Sequence, residues 1–97
     1  MSEGILTRRV LVEGLVQGVG YRHFAYHTAR RLKLSGWVRN RADGTVEALL
    51  SGPPDAVEAM LAELRRGPRG AQVRSVRLAE AEGADWTRGA FEVRPSA

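Results

Sequence analysis

At 97 residues, with 43% hydrophobic and 27% charged, the chain is sized and composed for one compact globular domain, residues 1–97, and not for a disordered or fibrous protein. The absence of cysteine excludes disulfides, thiolate metal centres and a cysteine nucleophile. The 15 Lys+Arg against 11 Asp+Glu give a net charge of +4, nearly all of the positive charge being arginine, which favours anionic ligands over cationic ones.

The opening Met1-Ser2-Glu3-Gly4-Ile5-Leu6 is too short and too weakly apolar for a secretory signal, and no apolar run approaches the roughly 18 residues of a membrane span. A cytoplasmic protein is expected. Thr7 to Gly14 alternates as a strand with Val10 and Val12 on one face. Tyr21 to Leu34 reads as a helix, because Tyr21, Ala25, Thr28, Ala29 and Leu32 recur on one side, with Gly36 placed to end it. Trp37 to Arg41 and Thr45 to Ser51 are strands joined by a turn at Ala42-Asp43-Gly44, with Val46, Ala48 and Leu50 facing one way. Gly52-Pro53-Pro54-Asp55 starts a second helix whose apolar stripe is Val57, Met60, Leu61 and Leu64, and Gly67-Pro68-Arg69-Gly70 breaks it. Val73 to Ala81 is a strand with Val76 and Leu78 inward, and a short strand around Phe91 and Val93 closes the chain.

The order β-α-β-β-α-β plus a small final strand fits an α+β fold, a ferredoxin-like sandwich with two helices on one face of an antiparallel sheet. In that arrangement the first and third strands are neighbours and the second lies beside the third. The end of the second strand can then approach the loop after the first.

That loop carries the strongest local signal. Gly14-Leu15-Val16-Gln17-Gly18-Val19-Gly20-Tyr21-Arg22 is a glycine-rich turn between a strand and a helix. Glycines let backbone N–H groups turn toward one point, a helix N-terminus adds donors and partial positive charge, and an arginine adds a planar fork that fits phosphate oxygens. It is neither a Walker loop, since no Gly-Lys-Ser/Thr follows, nor a dinucleotide fingerprint, since the third glycine is missing. His23 and His27 stand one helical turn apart, a spacing used by metal sites, but no third ligand is evident nearby, and they read as exposed helix residues. No metal site is expected.

With Gly36-Trp37-Val38-Arg39-Asn40, Gly44-Thr45-Val46 and Gly52 following at matching distances, the chain resembles the acylphosphatase family from about residue 7 to residue 94. The resemblance implies hydrolysis of acyl phosphates to a carboxylate and inorganic phosphate, with no cofactor. It implies that the phosphate is held by Arg22 and the backbone N–H groups of Leu15, Val16, Gln17, Gly18, Val19 and Gly20, and that Asn40 orients the attacking water. The expected partner is a small-molecule acyl phosphate, with phosphate or sulfate as anion ligand, no nucleic acid and no membrane, and the expected state is a monomer. The tail Pro95-Ser96-Ala97 carries no readable motif.

Two other functions fit the same fold. An RNA-binding module would display stacking aromatics on the central strands, and Gly44 to Leu50 carries none. A non-catalytic anion sensor, or the acylphosphatase-like part of a larger carbamoyl-transfer protein, would keep the loop. The absence of an appended domain favours a free-standing enzyme.

Overall fold

The structure, a computed structural model, describes residues 4–97; Met1 to Glu3, which open the expected 1–97 domain and the segment read against a secretory signal, lie outside the described residues. In chain order the elements are β1 (Leu6–Leu15), α1 (Tyr21–Arg31), β2 (Ser35–Asn40), β3 (Val46–Gly52), α2 (Pro54–Arg66), β4 (Gln72–Ala79) and β5 (Phe91–Val93). The sheet runs β4-β1-β3-β2-β5, antiparallel except for β5, which lies parallel to β2. The α+β sandwich expected from the sequence is present, with β1 beside β3 and β2 on its other side.

Val10 and Val12 of β1, Val38 of β2, and Val46, Ala48 and Leu50 of β3 form the helix-facing layer. They pack against Tyr21, Ala25 and Ala29 of α1 and against Val57, Met60, Leu61 and Leu64 of α2. Each fully buried aliphatic side chain contributes roughly 1.5–3 kcal/mol, so this layer dominates the stability of the domain. Both apolar stripes expected from helical spacing face the sheet, Leu32 lying only partly buried at the end of its helix. Pro54 occupies the first turn of α2, where its missing N–H costs nothing.

Three details differ from expectation. Helix α1 stops at Arg31, not Leu34, and Gly36 does not end it. Lys33 takes the left-handed conformation (φ 60°) instead. Its N–H donates to the Arg30 carbonyl at 3.0 Å, and the Leu34 N–H donates to the Ala29 carbonyl at 2.9 Å, which closes the helix with a Schellman pair. Gly36 lies within β2, at a φ of 135° so near β3 that a Cβ would stand 1.8 Å from the Leu49 carbonyl oxygen. Leu78, expected inward, is 57% exposed. It pairs with Val10 toward the far end of edge strand β4, beyond Val73 and Val76, which do pack against the core.

The other face of the sheet is not simply solvated. All of β3 is buried, including Glu47, Leu49 and Ser51, which point away from the helices. Trp37 lies on this side, its indole N–H donating to the Asp85 carbonyl at 2.9 Å, while Phe91 joins the helix-side core. Among the described residues, no helix is long and apolar enough to cross a membrane.

Candidate active site

The turn from β1 into α1 is made at Gly20, the residue before the helix, with φ 78° and ψ 19°. A side chain is disfavoured there, and glycine adopts it freely. The Gly20 carbonyl accepts the first helical bond, from the Phe24 N–H at 3.0 Å. Tyr21 then locks the start of α1 onto α2, its buried hydroxyl donating to the Leu64 carbonyl at 2.8 Å. Burial pushes this phenol well above its ordinary range, so it remains a neutral donor.

The N-terminus of α1 has no side-chain cap and no acidic residue in its first turn. The positive end of its dipole is therefore uncompensated by the chain. Among the described residues, no protein acceptor takes the backbone N–H groups of Val16 to Gly20, and no carboxylate or carbonyl engages the Arg22 guanidinium.

Asn40 is the last residue of β2. Strand alternation puts it on the same face as Val38, toward the helices, and at the strand end this brings it to the N-terminus of α1. Its Oδ1 is buried and has no hydrogen-bond partner within the described protein. A cavity of about 310 Å³ lies between these groups, lined by Val16, Gly18, Gly20, Tyr21, Arg22, His23, Asn40 and Val93.

Of the residues singled out from sequence, Val16, Gly18, Gly20, Arg22 and Asn40 meet around this cavity. Leu15, Gln17 and Val19 belong to the same segment but do not line it. Leu15 ends β1 opposite Gln72, and Val19 packs on the core. Gln17 turns its side chain to the β2–β3 hairpin, where Nε2 donates to the carbonyls of both Arg41 and Thr45 at 2.8 Å. One amide thus ties the glycine loop to the hairpin that follows Asn40.

Three contributors escaped the sequence reading. His23, read only as an exposed helix residue, is exposed but also lines the cavity, and its position directly after Arg22 in the first helical turn was the available signal. Val93 reaches the cavity because β5 extends the sheet past β2. The tail continues that pairing: the Arg94 N–H donates to the Val38 carbonyl at 2.9 Å, and the Ala97 N–H donates to the Asn40 carbonyl at 3.0 Å. No local pattern announced that contact.

A second charged region lies on the sheet face away from the helices. Glu47 accepts from Arg9 at 2.6 Å and from Arg39 at 2.8 Å, with Arg41 3.6 Å away. Burial alone would raise the Glu47 carboxyl, but the hydrogen bonds and charges of Arg39 and Arg9 together outweigh it and hold the group below the usual carboxylate range. Arg39 also lies over the Trp37 ring at 4.8 Å, with Arg94 at 5.1 Å from it. Arg39 is thus engaged on this face, and it does not line the cavity at Asn40.

The chain matches the protein-family model described as Acylphosphatase over residues 8–93. It is 52% identical over 81 residues to an acylphosphatase of Koribacter versatilis, covering 84% of this chain and 74% of that protein. It is 50% identical over 90 residues to an acylphosphatase of Rhodospirillum rubrum, covering 93% and 97% of the two chains. Among solved structures it superposes on an acylphosphatase from Bacillus subtilis with a TM-score of 0.84 at 33% identity, over 94% of this chain and 99% of that one.

Proposed function

The chain belongs to the acylphosphatase family and is a hydrolase of acyl phosphates, and we propose that it holds the phosphoryl group between the loop of residues 15–20 and Arg22 while Asn40 aims the attacking water. The observation that carries this reading is the meeting, around one cavity, of an unpartnered guanidinium, an uncapped helix N-terminus and a buried, unpartnered amide oxygen.

An acyl phosphate is a mixed anhydride whose leaving group is a carboxylate, a weak base with a conjugate pKa near 4. It departs without a proton, so the site needs no general acid. Phosphoryl transfer passes through a loose transition state with charge on the equatorial oxygens. The loop N–H groups and the Arg22 fork match that charge and are held in place before reaction, which is the condition for electrostatic stabilisation. Asn40 cannot serve as a base at neutral pH, but Oδ1 can accept one O–H of a water and leave a lone pair directed at phosphorus. As the water oxygen bonds to phosphorus, the P–O bond to the acyl group breaks and the electron pair leaves with the carboxylate. The water's proton passes to a phosphoryl oxygen. A pH–rate limb that disappeared in His23→Ala would reassign that proton to His23.

A crystal soaked in sulfate tests the placement. The ion is expected between the residue 16–20 backbone and Arg22; an ordered sulfate elsewhere with this loop empty would overturn the reading. Inorganic phosphate, as product and mimic, is expected to inhibit competitively at millimolar concentration. We infer further that the enzyme acts as a cytoplasmic monomer, for which analytical ultracentrifugation is the check on the oligomeric half.

A further inference from the structure

We propose that His23 and His27 form a two-imidazole site for a late first-row dication, Cu(II) or Ni(II), at the lip of the Arg22–Asn40 cavity. The two residues are i and i+4 on the exposed side of α1, so the helix itself holds their rings together and little freedom is lost on chelation. Their Nε2 atoms face each other at 3.0 Å, with ring centroids 4.3 Å apart and the planes nearly perpendicular. The Tyr26 ring packs edge-on against His27, with centroids 5.2 Å apart, and restrains that imidazole.

The separation of the two nitrogens, a hydrogen-bond distance in the metal-free chain, is also compatible with a shared metal ion. With metal–nitrogen bonds of about 2.0–2.1 Å, a 3.0 Å chord subtends roughly 91–97° at the ion. That is a cis angle of a square or octahedral centre. A tetrahedral ion would need about 3.3–3.4 Å between the same atoms. A small rotation of either exposed ring reaches the wider angle too, so the preference for Cu(II) rests on the Irving–Williams order, with Ni(II) as a second imidazole-binding ion. Among the described residues, no group of three His, Cys, Asp or Glu side chains could enclose a metal, so the remaining coordination positions are open to water or to an anion. The site is an exposed, exchangeable one and takes no part in the hydrolytic steps above.

His23 also lines the cavity, which places the ion's charge beside the anion site. This consequence rests on the proposed phosphate site: an occupied His pair should tighten anion binding, and by linkage the anion should tighten the metal.

The test uses Cu(II) electron paramagnetic resonance and Ni(II) calorimetry on the full chain and on His23→Ala and His27→Ala, both exposed helix positions where alanine is well tolerated. Two coordinated imidazole nitrogens are expected in the parent chain and one in each variant, with Ni(II) affinity falling at least tenfold. Unchanged Ni(II) affinity in either variant, or a copper spectrum unaffected by both, overturns the site. Sulfate affinity is then measured with and without Ni(II). A rise of threefold or more that vanishes in His27→Ala supports the coupling, and no rise overturns it. Sulfate binding in chelator, with Arg22→Ala as control, tests the anion site separately, so the two failures are distinguishable.

Discussion

Two arginine-bearing regions of this molecule are built in opposite ways. On the sheet face away from the helices, Arg9, Arg39 and Arg41 gather on the buried Glu47 carboxylate, and Arg39 also stacks on Trp37. At the N-terminus of α1, Arg22 faces a cavity with no carboxylate among its lining residues, beside backbone donors that no acceptor among the described residues takes. Net charge is equally arginine in both places. The candidate site stands out by a cation that no acceptor among the described residues engages, and the overall excess of +4 says nothing about which cation that is.

The sharpest way to break the contrast is to remove the unpartnered cation. Arg22→Ala is expected to raise the apparent substrate constant and to cut turnover, lowering kcat/KM by about 10³–10⁴ as charge stabilisation is lost from both the bound phosphate and the transition state. Steady-state hydrolysis of benzoyl phosphate in excess chelator measures it; a loss below tenfold would remove Arg22 from the site. Asn40→Ala is expected to act almost wholly on turnover, by about 10²–10³, because an oriented water matters only once attack begins. Near-normal kcat would exclude it from the mechanism.

The paired region should respond in stability and not in chemistry. Glu47→Ala strips Arg9 and Arg39 of their common partner. Both guanidiniums reach solvent, their side chains 25% and 30% exposed, so the cost should fall to about 2–3 kcal/mol, below the ~3–5 kcal/mol of a fully buried broken pair. Urea denaturation reads this directly, with kcat expected to stay within a factor of two. The pH dependence has a definite sign. Because the folded-state carboxyl lies below its unfolded value, Glu47 contributes stability that is fully present above the ordinary carboxylate range and is lost as pH falls through the depressed value. Glu47→Gln should therefore show a shallower stability loss than the parent between pH 6 and pH 3. Parallel curves would mean that the Arg9 and Arg39 contacts contribute nothing net.

The sequence displayed the fold through short-range patterns. Alternation in β1 and β3, four-residue spacing in α1 and α2, and the Asp43-Gly44 and Pro53-Pro54 signals are all local, and each element appears where they point. The misses are of two physical kinds. Some are local competitions: Lys33 pays the left-handed strain that a glycine would avoid, so the helix ends before Gly36, and Gly36 is instead required by the close approach of β3. Others are contacts between residues far apart in the chain, such as Arg9 with Glu47 and Ala97 with Asn40, for which a single sequence carries no local mark. The candidate site was legible to the extent that it is a strand–turn–helix signature, and Asn40 became readable only through a family resemblance. Its orphaned Oδ1 and its place on the helix-facing side of β2 are properties of the folded chain.

The smallest effect tests the seam between the two regions. The backbone carbonyl of Arg41 belongs to the loop through Gln17, while its guanidinium belongs to the Glu47 cluster. Gln17 Nε2 donates to two carbonyls at once, so Gln17→Ala would leave the Arg41 and Thr45 carbonyls without that donor and release the loop from the hairpin beyond Asn40. No new charge is buried and the loop N–H groups persist, so anion binding should weaken only slightly. What suffers is the relative placement of Arg22 and Asn40, which matters most in the transition state. A fall in kcat of about tenfold with KM nearly unchanged is therefore expected. Gln17→Glu adds a discriminating arm, since a carboxylate cannot donate and would face the same two carbonyl oxygens. It should be worse than alanine if the amide acts as a donor bridge, and no worse if Gln17 merely fills space.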